Sequence, residues 1–64
     1  MADYSRKLRE LLRQHGCYLI RQGRGDHEIW FSPIVNRPFT VDGSIKKRHM
    51  ANAVLKQAGL DKFF

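Results

Sequence analysis

Apolar positions at Tyr4, Leu8, Leu11 and Leu12, continued by His15, recur at helical spacing along the first part of the chain. Arg6, Lys7, Arg9, Glu10 and Arg13 fall mostly on the other faces. The pattern predicts an amphipathic helix over residues 4–15, capped by Asp3 and stopped by Gly16. The period then changes. Cys17 to Gln22 is rich in β-branched, aromatic and apolar residues and predicts a strand. Gly23-Arg24-Gly25-Asp26 is a turn, and His27 to Ser32, with Ile29, Trp30 and Phe31 in a row, predicts a second strand. Residues 33–38 carry Pro33 and Pro38 and read as a connection, because proline suits a central strand poorly. Phe39 to Val41 is a short third strand, and Asp42-Gly43 turns the chain again. Ser44 then suits the N-cap of a second helix over residues 45–58, with Ala51, Val54, Leu55 and Ala58 as its apolar stripe. Gly59 fits the C′ position, with Leu60 following to touch Leu55, and Phe63 or Phe64 is available to fold back on the core.

The order α-β-β-β-α defines an α+β fold: a three-stranded antiparallel sheet with two helices on one face. Leu8, Leu11, Leu12, Ile29, Val54 and Leu55 are the expected core. The second strand leaves one choice open, since Ile29 and Phe31 share parity with His27 whereas Trp30 shares it with Glu28 and Ser32. If Ile29 and Phe31 face the helices, Trp30 stands on the open face, available to stack on a base or a protein partner. The reverse assignment makes Trp30 core.

With 64 residues the chain has room for one small domain, spanning residues 1–64, and any active site must lie at its surface. The lone Cys17 excludes an intrachain disulfide framework and a cysteine-rich zinc site, and fits a small core residue in a reducing compartment. No apolar run approaches membrane-spanning length and no signal-peptide pattern is present, so a cytoplasmic protein without membrane attachment is expected. Charge changes the picture more. Twelve Lys and Arg stand against six Asp and Glu, a net +6 that attracts polyanions without sequence preference.

Candidate chemistry concentrates around the first turn. His27 follows a glycine-rich basic segment, and its imidazole suits proton transfer near neutral pH. Arg21 and Arg24 flank it as phosphate ligands, and Gly25 lets the backbone approach a ligand closely. Asp26 beside it either supports an imidazolium or repels an incoming phosphate. Lys46, Lys47 and Arg48 fall in the expected first turn of the second helix, where cations add to the dipole's own attraction for anions. His49 reads as partly buried near the sheet and His15 as structural. The three histidines lack metal-ligand spacing, so no metal and no cofactor is expected.

Taken together these pieces resemble a known family. The helix ending in Gly16, the strand Tyr18-Leu19-Ile20-Arg21, Gly25-x-His27, the two following strands and Leu55-Lys56-Gln57-Ala58-Gly59-Leu60 are similar to the HicA-type toxins, small mRNA interferases of bacterial type II toxin–antitoxin pairs. The resemblance covers nearly the whole chain. It implies a fold similar to the double-stranded-RNA-binding domain, endonuclease activity on mRNA, and a HicB-type antitoxin that masks the site. The family's catalytic histidine follows Gly-Ser; His27 holds that place here, with Asp26 where the serine stands. Many relatives carry a proline and a histidine after the third strand, where this chain has Asp42-Gly43-Ser44. The implied reaction is metal-independent transesterification by the RNA's own 2′-hydroxyl, with Arg21, Arg24, Lys46 and Lys47 on phosphates and Glu28, Asp26 or water as the second acid–base group. Two alternatives remain: a non-catalytic RNA-binding module of the same fold, and a basic protein-interaction module.

Overall fold

The computed structural model describes residues 3–64, so the first two residues of the expected 1–64 domain lie outside the described part. The elements are α1 (Ser5–Gln14), β1 (Tyr18–Gln22), β2 (Glu28–Ser32), β3 (Arg37–Val41) and α2 (Arg48–Gln57). The three strands form one antiparallel sheet in the order β1-β2-β3. The expected α-β-β-β-α order is therefore present. One apolar cluster joins Leu8, Leu11 and Leu12 of α1, Trp30, Phe39 and Val41 of the sheet, and Ala51, Val54 and Leu55 of α2, so both helices cover the same sheet face.

Both helices stop in the same way. Gly16 and Gly59 each adopt φ +86°, a conformation that side chains other than glycine's rarely tolerate. Cys17 N–H then donates to Leu12 O and Leu60 N–H to Leu55 O, each with a second bond from the glycine N–H, which completes a Schellman ending. At the start of α1 the Asp3 carboxylate accepts from the Ser5 N–H and hydroxyl. The tail also folds back as expected. Asn52 binds the Phe63 and Phe64 N–H groups, and the Phe64 ring meets Tyr4 edge-on at 5.1 Å.

The structure settles the open choice in β2 in favour of Trp30, which is 1% exposed. Ile29, expected in the core, is only half-buried and faces away from the helices. The apolar look of Ile29 and Phe31 is misleading because the polar neighbours of Trp30 are satisfied inside. Glu28 accepts from the Trp30 indole N–H at 2.8 Å, and Ser32 donates to Ala58 O at 2.7 Å. The indole is also the largest side chain available, and truncating such a group in a core costs about 3–5 kcal/mol. Trp30 is thus removed from the list of exposed stacking groups.

Helix α2 starts later than its pattern suggests. Ile45 is buried, its N–H bonds to Ser5 Oγ, and its carbonyl accepts from Tyr4 N–H. Those bonds tie residues 44–46 to the start of α1, and Lys47 stays extended at φ −120°, ψ 132° as the N-cap residue. Lys46 and Lys47 therefore precede the helix rather than forming its first turn, and Arg48 alone of the three lies within it. Ser44 caps nothing, and His49, expected to be partly buried, is exposed. Strand β3 is longer than expected and includes Pro38, which an edge strand accommodates because one side of its backbone needs no partner.

Candidate functional site

The turn between β1 and β2 is held by its own backbone. Gly23 N–H donates to His27 O at 2.8 Å, His27 N–H donates to Arg24 O at 3.0 Å, and the Gln22 side chain adds a third bond to His27 O. Gly25 sits at φ +57° inside this closed loop. His27 closes the loop, its backbone fixed by these bonds and its side chain exposed.

The register continues beyond the paired strands. Glu28 pairs with Val41, which brings His27 beside Asp42. The imidazole Nε2 lies 3.2 Å from Asp42 Oδ1, with the two side chains 54% and 42% exposed. The contact turns Nε2 toward the carboxylate and leaves Nδ1 as the ring nitrogen away from it. The approach is tight. A Cβ added at Gly43 would stand 2.6 Å from the Asp26 carbonyl oxygen and 2.7 Å from the Asp26 Cβ. Glycine is thus required where the β3–α2 connection packs on the β1–β2 turn.

Behind the pair lies Arg9, only 14% exposed along its side chain. Its guanidinium donates to Glu28 Oε1 at 3.1 Å, to Asp42 O at 3.0 Å and to Ser5 O at 3.3 Å. One side chain thus connects α1 to β2 and to the residue that touches His27. Burial alone would raise the Glu28 carboxyl, but the bonds from Trp30 and Arg9 and the charges of Arg9 and Arg13 outweigh it and hold Glu28 below the ordinary glutamate range. That carboxylate is committed to the scaffold and is a poor acid–base group for a substrate. Asp3 is also held low, chiefly by the Ser5 hydroxyl and N–H, with smaller help from Lys46 and Arg9.

The expected cations divide into two sets. Arg21 pairs in register with Ile29 and shares the open sheet face with His27, while Arg24 and Gly25 belong to the turn itself. Lys46 and Lys47 lie farther along the β3–α2 connection, with Lys46 close enough to Asp3 to influence its carboxylate. All four cations are exposed, and none makes a salt bridge among the described residues. Among the described residues no group of three or more His, Cys, Asp or Glu side chains is arranged to hold a metal ion, and no helix is long and apolar enough to cross a membrane.

Two functional candidates escaped the sequence. Asp42 looked like a turn residue, yet the alternation that places His27 with Ile29 also places Asp42 with Thr40 once the register is known. Arg9 looked like part of a solvated helix face, and nothing local signals its three acceptors.

No curated protein and no solved structure matches this chain. The family described as HicA toxin of bacterial toxin-antitoxin matches residues 5–60, which runs from the first residue of α1 through the Schellman ending of α2. The chain belongs to the HicA toxin family of bacterial toxin–antitoxin systems, a membership that carries with it an antitoxin partner.

Proposed function

We propose that this toxin is an RNA endonuclease that cleaves messenger RNA, with His27 as its catalytic histidine. The observation that carries the reading is the exposed His27 imidazole, set 3.2 Å from Asp42 beside a closed basic turn. The RNA 2′-hydroxyl attacks the adjacent phosphorus. Its proton passes to His27 Nδ1, the P–O5′ bond breaks, and the 5′-oxygen leaves with a proton from the imidazolium or from water. The products are a 2′,3′-cyclic phosphate and a 5′-hydroxyl. Asp42, 3.2 Å from Nε2, holds the ring as a positioning residue. Arg21, Arg24, the backbone at Gly25, Lys46 and Lys47 bind phosphates and offset the charge that develops on them. Asp26 and Asp42 place negative charge near the same phosphate, and the unpaired arginines counter it. The protein partner in this reading is a HicB-type antitoxin that covers His27, and the compartment is the cytoplasm.

The test is incubation of the purified protein with a long RNA in EDTA, followed by analysis of the fragment ends. Cyclic phosphate and 5′-hydroxyl ends formed in EDTA are expected. Cleavage that needs added divalent metal, or that leaves 5′-phosphate ends, contradicts the mechanism. RNA binding without any cleavage returns the protein to a non-catalytic binding module.

A further inference from the structure

Strand β2 divides its side chains between two faces. Trp30 and Ser32 enter the core, while Ile29 and Phe31 point to the face that neither helix covers. Cross-strand partners share a face, so Tyr18 stands with Phe31 and Arg21 with Ile29. The same alternation continues to His27, where Asp42 meets it. The uncovered face is thus one strip. The imidazole–carboxylate pair lies at one end, Arg21 in the middle, and an aromatic pair at the other end. The Tyr18 and Phe31 rings have centroids 5.6 Å apart and planes tilted by 37°. Tyr18 is 55% exposed. Four residue steps of extended strand run from His27 to Phe31, about 13 Å.

We infer that Tyr18 and Phe31 form a stacking platform for the bases of single-stranded RNA, whose backbone runs past Arg21 to His27. The inference deepens the nuclease reading and rests on it for the direction of the strand. Three features select this occupant. The exposed Tyr18 ring, with half-buried Phe31 beside it, can take an unstacked base, whereas a duplex keeps its base faces stacked inside. The strip carries a cation and no carboxylate between the rings and His27, so a polyanion crosses it without repulsion. The 2′-hydroxyl also needs a backbone free to align in line with the leaving 5′-oxygen, which a flexible single strand supplies.

The experiment measures affinity for a short unstructured RNA by fluorescence anisotropy, in a His27→Ala background that keeps the probe intact. Tyr18→Leu and Phe31→Leu retain apolar bulk but lose the ring. Each is expected to weaken binding by at least about fivefold, the lower end of what base–aromatic stacking contributes. The dependence on salt stays the same, because no phosphate contact is lost. Tyr18→Trp keeps a ring and is expected to keep the affinity. Unchanged affinity in Tyr18→Leu overturns the platform, since this exposed position leaves the fold intact. Tighter binding of a duplex than of a single strand overturns it too. So does a loss of antitoxin binding in Tyr18→Leu with RNA affinity unaltered, which assigns the face to the protein partner. The two readings fail separately. His27-dependent cleavage that survives in Tyr18→Leu with unchanged affinity removes only the platform, and weakened binding without any His27-dependent cleavage removes only the nuclease.

Discussion

Replacing Arg9 by methionine removes a guanidinium that serves three acceptors and keeps most of the apolar stem. The bond to Glu28 joins two charged groups that are only 14% and 21% exposed, so solvent screens it weakly. A hydrogen bond to a charged group contributes about 1.5–3 kcal/mol, and each lost bond to a carbonyl adds about 0.5–1.5 kcal/mol. Glu28 keeps its Trp30 partner, which limits the penalty on the stranded carboxylate. The expected net loss is about 2–4 kcal/mol, against a total stability of about 3–10 kcal/mol for a domain of this size. Urea unfolding of the parent, Arg9→Met, Glu28→Gln and the double variant measures it. The cycle is expected to give a coupling of about 1–2 kcal/mol between the two positions. Arg9→Lys should recover only part of the loss, because one ammonium cannot reproduce a planar fork bound on three sides. A loss in Arg9→Met below about 0.5 kcal/mol, the level of an ordinary surface pair, refutes the view that this side chain clamps the β3–α2 connection to α1.

Three further outcomes follow from the same geometry. Asp42→Asn is expected to reduce kcat for RNA cleavage by roughly tenfold with little change in KM, less than the roughly 10²–10⁴-fold carried by an acid–base group itself; an unchanged kcat removes Asp42 from the positioning role. Replacing Lys46 and Lys47 with glutamine should weaken RNA binding evenly across sequences and lower the salt slope by up to about two, with thermal stability unchanged because both residues precede α2; an unchanged slope assigns them to solvated surface. Glu28 and Asp3 are held below their ordinary values in the folded chain, so each contributes stability that is complete above about pH 4.3 and is lost as pH falls through the folded value; urea midpoints across the acid range check this, and Glu28→Gln should flatten the decline.

The parts of the fold readable in sequence were those specified locally. The helical spacing of Leu8, Leu11 and Leu12, the stripe through Val54 and Leu55, and the glycine stops at Gly16 and Gly59 each express a nearest-neighbour constraint, and each appears as expected. The orientation of β2 was not local. It depends on whether Glu28 and Ser32 find partners inside, and those partners, Arg9 and the Ala58 carbonyl, come from the two helices. The start of α2 failed for a similar reason. Ser44 and the run that follows look like a capped helix until Ile45 is tied to Ser5 and Tyr4 across the chain. At the site, His27 stood out because glycine and arginine surround it. Asp42 did not, because its meaning comes from a cross-strand register that no short window contains.

The central claim is that RNA cleavage depends on the His27 imidazole. Single-turnover cleavage of a long RNA in EDTA by the parent and by His27→Ala, with thermal melting of both proteins, tests it most directly. His27 is exposed, so the variant should melt within about 0.5 kcal/mol of the parent's stability. The predicted result is a folded His27→Ala protein whose cleavage falls by roughly 10²–10⁴-fold. A folded variant that cleaves at the parent's rate contradicts the assignment.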